Sequence, residues 1–360
     1  MFAIMDLSTF RLGAYIVNDS SVFRFEEGSL TGFSGMGGTV TIPPCVSAIS
    51  ADAFAGCSGI TNVTIPETVT HIGPGAFRDC SGLQLIRIPD SVTSMGEDAF
   101  SGCTSLTDIK LSASLPALAP RTFYGCTALD SISIPESITT IGESAFEHCT
   151  GITGISLPDA LDELGPRAFS GCTGLTGCTL PWRVTNIGSS TFEGCSGLRG
   201  IYVPDSVKQI GARAFAGCCA LTDIVLPNHL EKLGSGIFSG CLRLREISLP
   251  KNLHHLPEEL FDGCRILKSI ALPESIIEIG ARAFCGCARL EHVVLPAGLS
   301  RIDSKAFENC PYLEDLILPD STRDIAPDAF GGCLSLKLLV KPNSAGQLYA
   351  ELNHLSYDFL

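Results

Sequence analysis

The residues of this chain best suited to chemistry are its cysteines. There are 17 in 360 residues, and thirteen of them recur every 23 residues from Cys57 to Cys333. If repeats of that length stack, neighbouring cysteines have Cα atoms about 4.8 Å apart, but their parallel Cβ vectors hold the Cβ atoms farther apart than the roughly 3.5–4.5 Å of a disulfide. The spacing therefore favours a ladder of buried free thiols, each able to donate weakly to a carbonyl, in a reducing or anaerobic setting.

Metal binding by these cysteines is disfavoured. Zinc sites are normally built from pairs such as C-x₂-C, and the sequence contains no such pair. The two local pairs, Cys218–Cys219 and Cys285–Cys287, each place one cysteine off the ladder. We therefore expect Cys219 and Cys285 to be exposed thiols, and we predict no metal and no cofactor.

Carboxylates form a second recurring group, because an acidic residue follows the repeated proline in seven copies. A row of carboxylates along one edge could attract Ca²⁺, which prefers clustered oxygens. The same residue types also suit the bend that leaves a strand, and the sequence favours this turn interpretation. The seven residues are Glu67, Asp90, Glu136, Asp159, Asp205, Glu274 and Asp320.

Patterns of catalysis and of nucleic-acid binding are missing from the sequence. The seven histidines fall at different phases of the repeat and form no recognisable group with Ser and Asp. The glycines belong to the repeat and not to a phosphate-binding loop of the G-x-x-x-x-G-K type. A net charge of −14 with no basic tract argues against a polyanionic partner. We predict neither an enzyme nor a nucleic-acid-binding protein.

Membrane insertion and secretion signals are equally weak. No run approaches the ~18 apolar residues that a membrane helix needs, so the 45% hydrophobic content must be buried internally. The first twenty residues make a poor secretion signal, because Asp6 and Arg11 interrupt the apolar run and a basic leader is missing. Two interpretations follow: the protein stays in the cytosol, or the chain lacks its true first residues.

A 23-residue repeat must position all of these side chains. Phe recurs from Phe54 to Phe330, and Pro from Pro43 to Pro342 with one failure at Ser112. Each unit reads approximately A-F-x-G-C-x-x-L-x-x-I-x-L-P-x-x-V-x-x-I-G. The L-x-x-I-x-L part is typical of a short strand that the proline closes, and A-F-x-G-C of one helical or 3₁₀ turn. No unit can bury its apolar residues alone, so the repeat predicts a stacked solenoid.

Continuous buried columns follow from such stacking. The sequence predicts that the phenylalanines and cysteines line the interior as structural ladders, represented by Phe192, Phe215, Phe238, Cys195, Cys218 and Cys241. The residue before each ladder cysteine is Gly in ten copies and Asp79, His148 or Asn309 in the others. These types favour positive φ, so we expect a left-handed residue to end the turn.

The unit resembles the BspA-type (Treponema pallidum-type) leucine-rich repeat, in lines such as "LTDIVLP" and "IGARAFAGC". The resemblance implies an α/β-type, right-handed leucine-rich-repeat solenoid with thirteen 23-residue repeats and a parallel β-sheet on one face. Short helical or 3₁₀ turns and short strands complete each coil. It divides the chain into an N-terminal cap over 1–38, repeats over 39–341 and a C-terminal cap over 342–360. In that last cap a helix carrying Leu348, Tyr349 and Leu352 is expected to cover the final coil.

The variable letters between the inward residues form a candidate partner-binding face. The central strand column, from Thr64 to Val340, is polar or basic in its first half and largely apolar in its second. Apolar residues with charged neighbours are typical of a protein-binding patch, although β-branched residues also favour strands on their own account. The candidate residues are Arg199, Tyr202, Val225, Arg245, Glu246, Lys268, His292, Val294 and Ile317.

The function that follows is a non-catalytic protein–protein interaction module. Family resemblance implies an adhesin-like protein at the cell surface or secreted, a monomer that binds a host or matrix protein. The alternatives are a cytosolic interaction scaffold, which the reduced cysteines favour, and a glycan-binding surface module. The last has little stacking material, since the chain holds one Trp, Trp182, and six Tyr.

Overall fold

The computed structural model describes residues 16–17 and 20–360. Asp6 and Arg11, on which the prediction about a leader rests, lie outside these residues. The chain forms a parallel-strand β-solenoid of about 14 turns of about 23 residues. None of the described helices is both long and apolar enough to cross a membrane.

Most coils contribute a strand to a column that we call the face strands. They pair in parallel with the strands of the coils before and after, as Thr64 with Arg87 and Arg87 with Lys110. Ile16–Val17 and Ser356–Phe359 pair onto the two ends of this column. Its strands are Gly38–Thr41, Ile60–Thr64, Leu85–Arg87, Asp108–Lys110, Gly177–Thr179, Gly200–Tyr202, Ser269–Ala271, His292–Val294, Asp315–Ile317 and Lys337–Val340.

A second column of two-residue strands follows the proline turn, and we call these the return strands. An antiparallel hairpin, Phe23–Glu26 with Ser29–Phe33, precedes them and pairs onto the first. The return strands are Ala48–Ile49, His71–Ile72, Ser94–Met95, Ala117–Leu118, Thr140–Ile141, Glu163–Leu164, Asn186–Ile187, Gln209–Ile210, Lys232–Leu233, His255–Leu256, Glu278–Ile279, Arg301–Ile302 and Asp324–Ile325.

The interior between the two columns holds an uninterrupted stack of phenylalanine rings. From Phe54 to Phe330, successive ring centroids lie 5.0–6.0 Å apart with nearly parallel planes. Phe33 continues the stack at one end and Tyr349 at the other. Because a single coil cannot enclose a phenyl ring, each ring is buried only by its neighbours above and below.

The A-F-x-G-C segment joins the return strand to the next face strand through consecutive turns with i to i+3 bonds. In one coil the Ala216 N–H donates to the Arg213 carbonyl at 3.0 Å, and the Cys218 N–H to the Phe215 carbonyl at 3.2 Å. Arg213, where the first turn begins, and Gly217, near the end of the second, are left-handed, so the segment does not extend into a helix. The glycine before the cysteine has positive φ, and so do Asp79, His148 and Asn309, which confirms that expectation.

A second left-handed column, which was not predicted, lies two residues before the phenylalanine. Positive φ occurs there in every coil from Asp52 to Lys305, with values between 54° and 62°. Eight of these twelve residues are Arg, Ser, Glu or Lys, which carry a Cβ and normally avoid this region, and the others are Asp or Gly.

The last coil departs from the 23-residue register. Ile317 pairs with Leu339, one residue earlier than the repeat requires. Val340 is fully buried, so the expectation that it belongs to the exposed central column is wrong and Leu339 takes that place. The C-terminal helix, Ala345–Leu352, packs through Tyr349 and Ala350 and leaves Leu348 and Leu352 exposed.

Candidate protein-binding face

The cysteine ladder is structural. All 17 cysteines are free, and from Cys80 to Cys333 each ladder thiol donates to the carbonyl of the phenylalanine one coil back, at 2.9–3.2 Å. Burial raises the pKa of the ladder thiols from Cys57 to Cys287, to about 12 for Cys172 and Cys241. Neutral, enclosed thiols are poor nucleophiles and poor metal ligands.

The off-ladder cysteines of the two local pairs, Cys219 and Cys285, differ from each other. Cys219 is half-buried, but Cys285 is buried, so the expectation that Cys285 is exposed is wrong. Glu308 in the next coil covers it, with a carboxylate oxygen 3.6 Å from Sγ. Burial, followed by the charge of Asp262, raises the pKa of Cys285 to about 11.

The acidic residues that follow the prolines lie in turns, as the turn interpretation predicts. In each of the seven copies the residue three after the proline donates its N–H to the proline carbonyl at 3.0–3.1 Å, as Val69 does to Pro66. Within the described residues no group of three or more His, Cys, Asp or Glu is arranged to hold a metal ion.

A polar depression of about 530 Å³ lies among the turns that carry Tyr124, Glu147 and Arg167 in three consecutive coils. Arg121 covers the ring of Tyr124 at 4.1 Å, and beside it Arg167 binds the buried carboxylate of Glu147 at 2.6 Å. Burial alone would raise the pKa of Glu147, but hydrogen bonds from Arg167 and Ser144 lower it overall. Glu147 is therefore held ionised and paired, which does not suit it to act as a general acid or base.

The face strands present the apolar half of the variable column to solvent. Tyr202 is 61% exposed, Val225 82%, Val294 60% and Ile317 54%. Between the two valines the same column carries only Ser248 and Ala271, both exposed. Large side chains at both ends and small ones in the middle make a shallow trough that runs along the strand direction.

A cleft opens in the floor of this trough. Strand pairing on the face is interrupted between Gly200–Tyr202 and Ser269–Ala271, where one bridge from Asp223 to Glu246 joins the two intervening coils. The cleft measures about 290 Å³ and is lined by Asp223, Ile224, Val225, Leu226, Asn228, Glu246, Ile247, Ser248, Leu249 and Pro250. Its size is at the lower end of the ~300–1,000 Å³ of small-molecule sites, and its walls are mostly apolar.

The charged candidates surround the trough. Arg199, Arg245, Glu246 and His292 are exposed, and Lys268 lies 3.7 Å from Glu291 across adjacent coils. Thus all nine residues of the predicted face occur on one exposed surface over six consecutive coils.

Three further basic residues adjoin this surface, and sequence reasoning missed them. Arg243, Arg265 and Arg289 occupy the turn just before the face strands in three consecutive coils, and all three are exposed. In the printed sequence they are about one repeat apart, so no basic tract is visible. Reading adjacent repeat positions together, instead of one column at a time, would have found them.

Comparisons with known proteins agree with this architecture. A family model described as BspA type leucine rich repeat region matches residues 38–119, 113–222 and 209–337. A leucine-rich repeat protein from Bacteroides ovatus is 30% identical, over 94% of this chain and 97% of its own, with a TM-score of 0.78. No curated protein matches the chain.

Two more solved structures are similar over most of their length. A leucine rich cell surface protein from Faecalibacterium prausnitzii is 26% identical, over 95% of this chain and 98% of its own, with a TM-score of 0.60. A leucine-rich repeat protein from Eubacterium ventriosum is 22% identical, over 86% and 91%, with a TM-score of 0.52, and supports the fold alone. The shared repeat fold suggests a protein-interaction module.

Proposed function

We propose, since the chain belongs to the BspA-type leucine-rich repeat family, that it is a non-catalytic, adhesin-like module whose face strands bind a partner protein. The observation that carries the proposal is the exposed apolar strip from Tyr202 to Ile317. Elsewhere the face column is polar or basic, as at Arg87 and Lys110. Strand propensity acts on every coil alike, so it does not account for an apolar strip confined to one half.

Exposed apolar side chains rimmed by charge are the usual composition of a protein-binding patch. Tyr202 supplies a large, amphipathic contact of the type that dominates interface energetics. Arg199, Arg245 and Lys268 stand on one side of the strip and would select the partner and set its orientation. A host or matrix protein at the cell surface is the partner class that the family resemblance supports.

A surface location is supported by the name of the Faecalibacterium relative, a cell surface protein. The second candidate is a cytosolic scaffold, which the long ladder of free thiols favours. Fractionation of native cells, with surface labelling of intact cells by a membrane-impermeant reagent, separates the two. Label on intact cells supports the adhesin, whereas protein confined to the cytosolic fraction supports the scaffold.

Binding by the face strands is tested with a double variant, Tyr202→Asp/Ile317→Asp. The wild-type protein is immobilised and exposed to a panel of purified extracellular-matrix proteins and to a glycan array. We expect at least one matrix protein to bind, and the double variant to lose that binding at least about tenfold while keeping its melting temperature.

A matched control is offered by Trp182→Asp/Ile277→Asp. These side chains are also exposed but lie off the face strands, Trp182 in a proline turn and Ile277 just before a return strand, so the control should bind as the wild type does. Equal loss in both variants, or undiminished binding by the first, would refute the proposal. Binding confined to the glycan array would assign the protein to the glycan-binding class instead.

A further inference from the structure

Five basic side chains come together at the start of the face strands in three consecutive coils. Arg243 and Arg245 belong to one coil, Arg265 and Lys268 to the next and Arg289 to the third, and all five are exposed. Parallel pairing of His255 with Glu278 and of Glu278 with Arg301 keeps these coils in register. With about 4.8 Å between coils, the backbones of the five residues span about 10 Å along the axis. We call this group the basic cluster.

The charge of the basic cluster is largely uncompensated by ion pairs. Across the described residues, the ion pairs of the chain involve Lys268 but none of the four arginines of the cluster. Some other arginines are paired, as Arg213 is with Glu193 and Arg282 with Asp262; those that are not, such as Arg183 and Arg323, do not belong to a group of this size. A chain of net charge −14 that leaves four neighbouring guanidinium groups unpaired presents a local positive potential to an acidic partner.

The basic cluster is continuous with the trough of the face strands. Arg245 precedes Ser248 by three residues on one coil, and Lys268 precedes Ala271 by three on the next. At about 3.3 Å per residue, the cationic groups begin roughly 10 Å from the trough floor. The cleft in that floor is large enough for one or two apolar side chains, and Ile224, Leu226 and Leu249 line it.

We propose that the face takes a peptide segment of the partner in which acidic residues are followed, or preceded, by apolar ones, lying along the strand direction. The carboxylates contact the basic cluster, and an apolar side chain enters the cleft between Val225 and Ser248. This inference rests on the proposed function and specifies the chemistry of its partner.

A peptide with acidic and apolar residues fits both the basic cluster and the apolar cleft, whereas other anions fit only the basic cluster. A sulfated glycan would use the guanidinium groups but would leave the apolar cleft walls in contact with water. Val225 and Val294 are separated by three coils, about 14 Å, which leaves room between them for a single segment of polypeptide. Arginine, with its planar fork of donors, is the side chain best matched to carboxylates.

The probe is a fluorescein-labelled peptide of four glutamates followed by Leu-Val-Leu, with a second peptide in the reverse order because the direction is open. Fluorescence anisotropy of the full chain should show saturable binding of one of them, weakening as salt is added. Arg243→Glu/Arg265→Glu should weaken that binding at least about tenfold. A comparison peptide with serines in place of the apolar residues should also bind at least about tenfold more weakly.

The control variant is Lys232→Glu/Arg323→Glu, which changes the net charge equally at exposed positions around the return strands. It should bind the peptide as the wild type does. Equal loss in the control, equal binding of the serine peptide, or tighter binding of a heparin fragment than of either peptide would each overturn the inference. Circular dichroism of each variant verifies that it is folded.

The outcomes are distinguishable from those of the proposed function. If no peptide binds while Tyr202→Asp/Ile317→Asp loses binding to a matrix protein, the partner chemistry assigned here is wrong and the binding face stands. If that double variant retains the matrix protein, the face itself is wrong, whatever the peptides do.

Discussion

The Sγ atom of Cys218 lies 3.2 Å from the carbonyl oxygen of Phe192 in the preceding coil and donates a hydrogen bond to it. The same carbonyl accepts the N–H of Cys195 from its own turn at 3.1 Å. Each thiol therefore joins two coils at the place where the phenylalanine rings stack. The bond exists only while the sulfur is protonated. Because high pH deprotonates thiols, it should break the hydrogen bonds of the ladder.

Alkaline pH should destabilise the solenoid through these thiols. Burial raises the pKa of Cys172 and Cys241 from 9.0 to about 12, so the unfolded chain releases protons above pH 9 that the folded chain retains. Stability is therefore fully present below about pH 9 and lost as pH rises toward 12, at about 1.4 kcal/mol per pH unit for each thiol. Urea unfolding from pH 8 to 10.5, under reductant, measures the slope.

The variant Cys172→Ala/Cys241→Ala isolates the contribution of the thiols. Removing two titrating groups should reduce the loss of unfolding free energy by nearly 3 kcal/mol per pH unit above pH 9. Other alkaline groups, such as Tyr349, are unchanged and cancel in the comparison. Parallel slopes in the wild type and the variant would show that thiol ionisation does not limit stability.

The parts of the fold that sequence predicted are those that repeat with one side-chain type. Phe215 and Cys218 fill the same space as their equivalents in every coil. Because one residue type fits that space, Phe and Cys recur at a constant spacing, and the two columns can be recognised in the sequence. The left-handed φ of Gly217 was predictable for the same reason, since Asp79, His148 and Asn309 substitute for glycine there. The left-handed φ of Arg213 was not, because Arg, Lys, Glu and Ser at that position give no conformational signal.

The features that sequence missed depend on contacts between coils. Cys285 is buried, with Glu308 of the next coil over it, and its repeat position varies between coils, being buried at Ser170 and Ala216 but exposed at Arg78. Val340 is buried because the last coil is one residue short. The basic cluster arises from neighbouring positions in different coils, as Arg243 and Arg265 illustrate. The nine predicted face residues lie together because they share one strand column and its flanks.

Two glycines should restrict substitution in different ways, Gly217 through its backbone angle and Gly211 through the lack of space for a Cβ. Gly217 has φ +71° but room for a Cβ, whose nearest neighbour would be Gly194 Cα at 3.5 Å. Gly217→Asn should therefore cost little, and Gly217→Val about 1–3 kcal/mol of backbone strain. Gly211 lacks that strain, but its Cβ would lie 2.5 Å from the backbone nitrogen of Ser189.

Gly211→Ala should thus cost about 1–3 kcal/mol, although alanine is the smallest replacement available. Chemical denaturation of the three variants gives the order, with Gly217→Asn the most stable. A neutral Gly211→Ala would mean that the coils separate freely at the return strands, and the close backbone approach would not then hold them in register.

The buried carboxylate of Glu147 should become destabilising when its partner is removed. Its side chain is only 5% exposed and pairs with Arg167, whereas the similar Glu193, 28% exposed, pairs with Arg213. Arg167→Met should cost about 3 kcal/mol at pH 7, because it leaves a charge buried and unpaired. Arg213→Met should cost about 1 kcal/mol or less, because water reaches Glu193.

The pH dependence of the Arg167→Met effect distinguishes a buried charge from lost packing. In the wild type the pKa of Glu147 is lower in the folded chain than in the unfolded one. The ion pair therefore adds to the free energy of unfolding at pH values above the usual carboxyl pKa, and this addition is lost as pH falls through the pKa of the folded state. In Arg167→Met, burial without the guanidinium raises that pKa, so stability should rise as pH falls from 7 toward 5. Adding Glu147→Gln to Arg167→Met should remove the pH dependence and restore stability at pH 7. If instead Arg167→Met lowers stability by the same amount at every pH, the guanidinium acts only through packing.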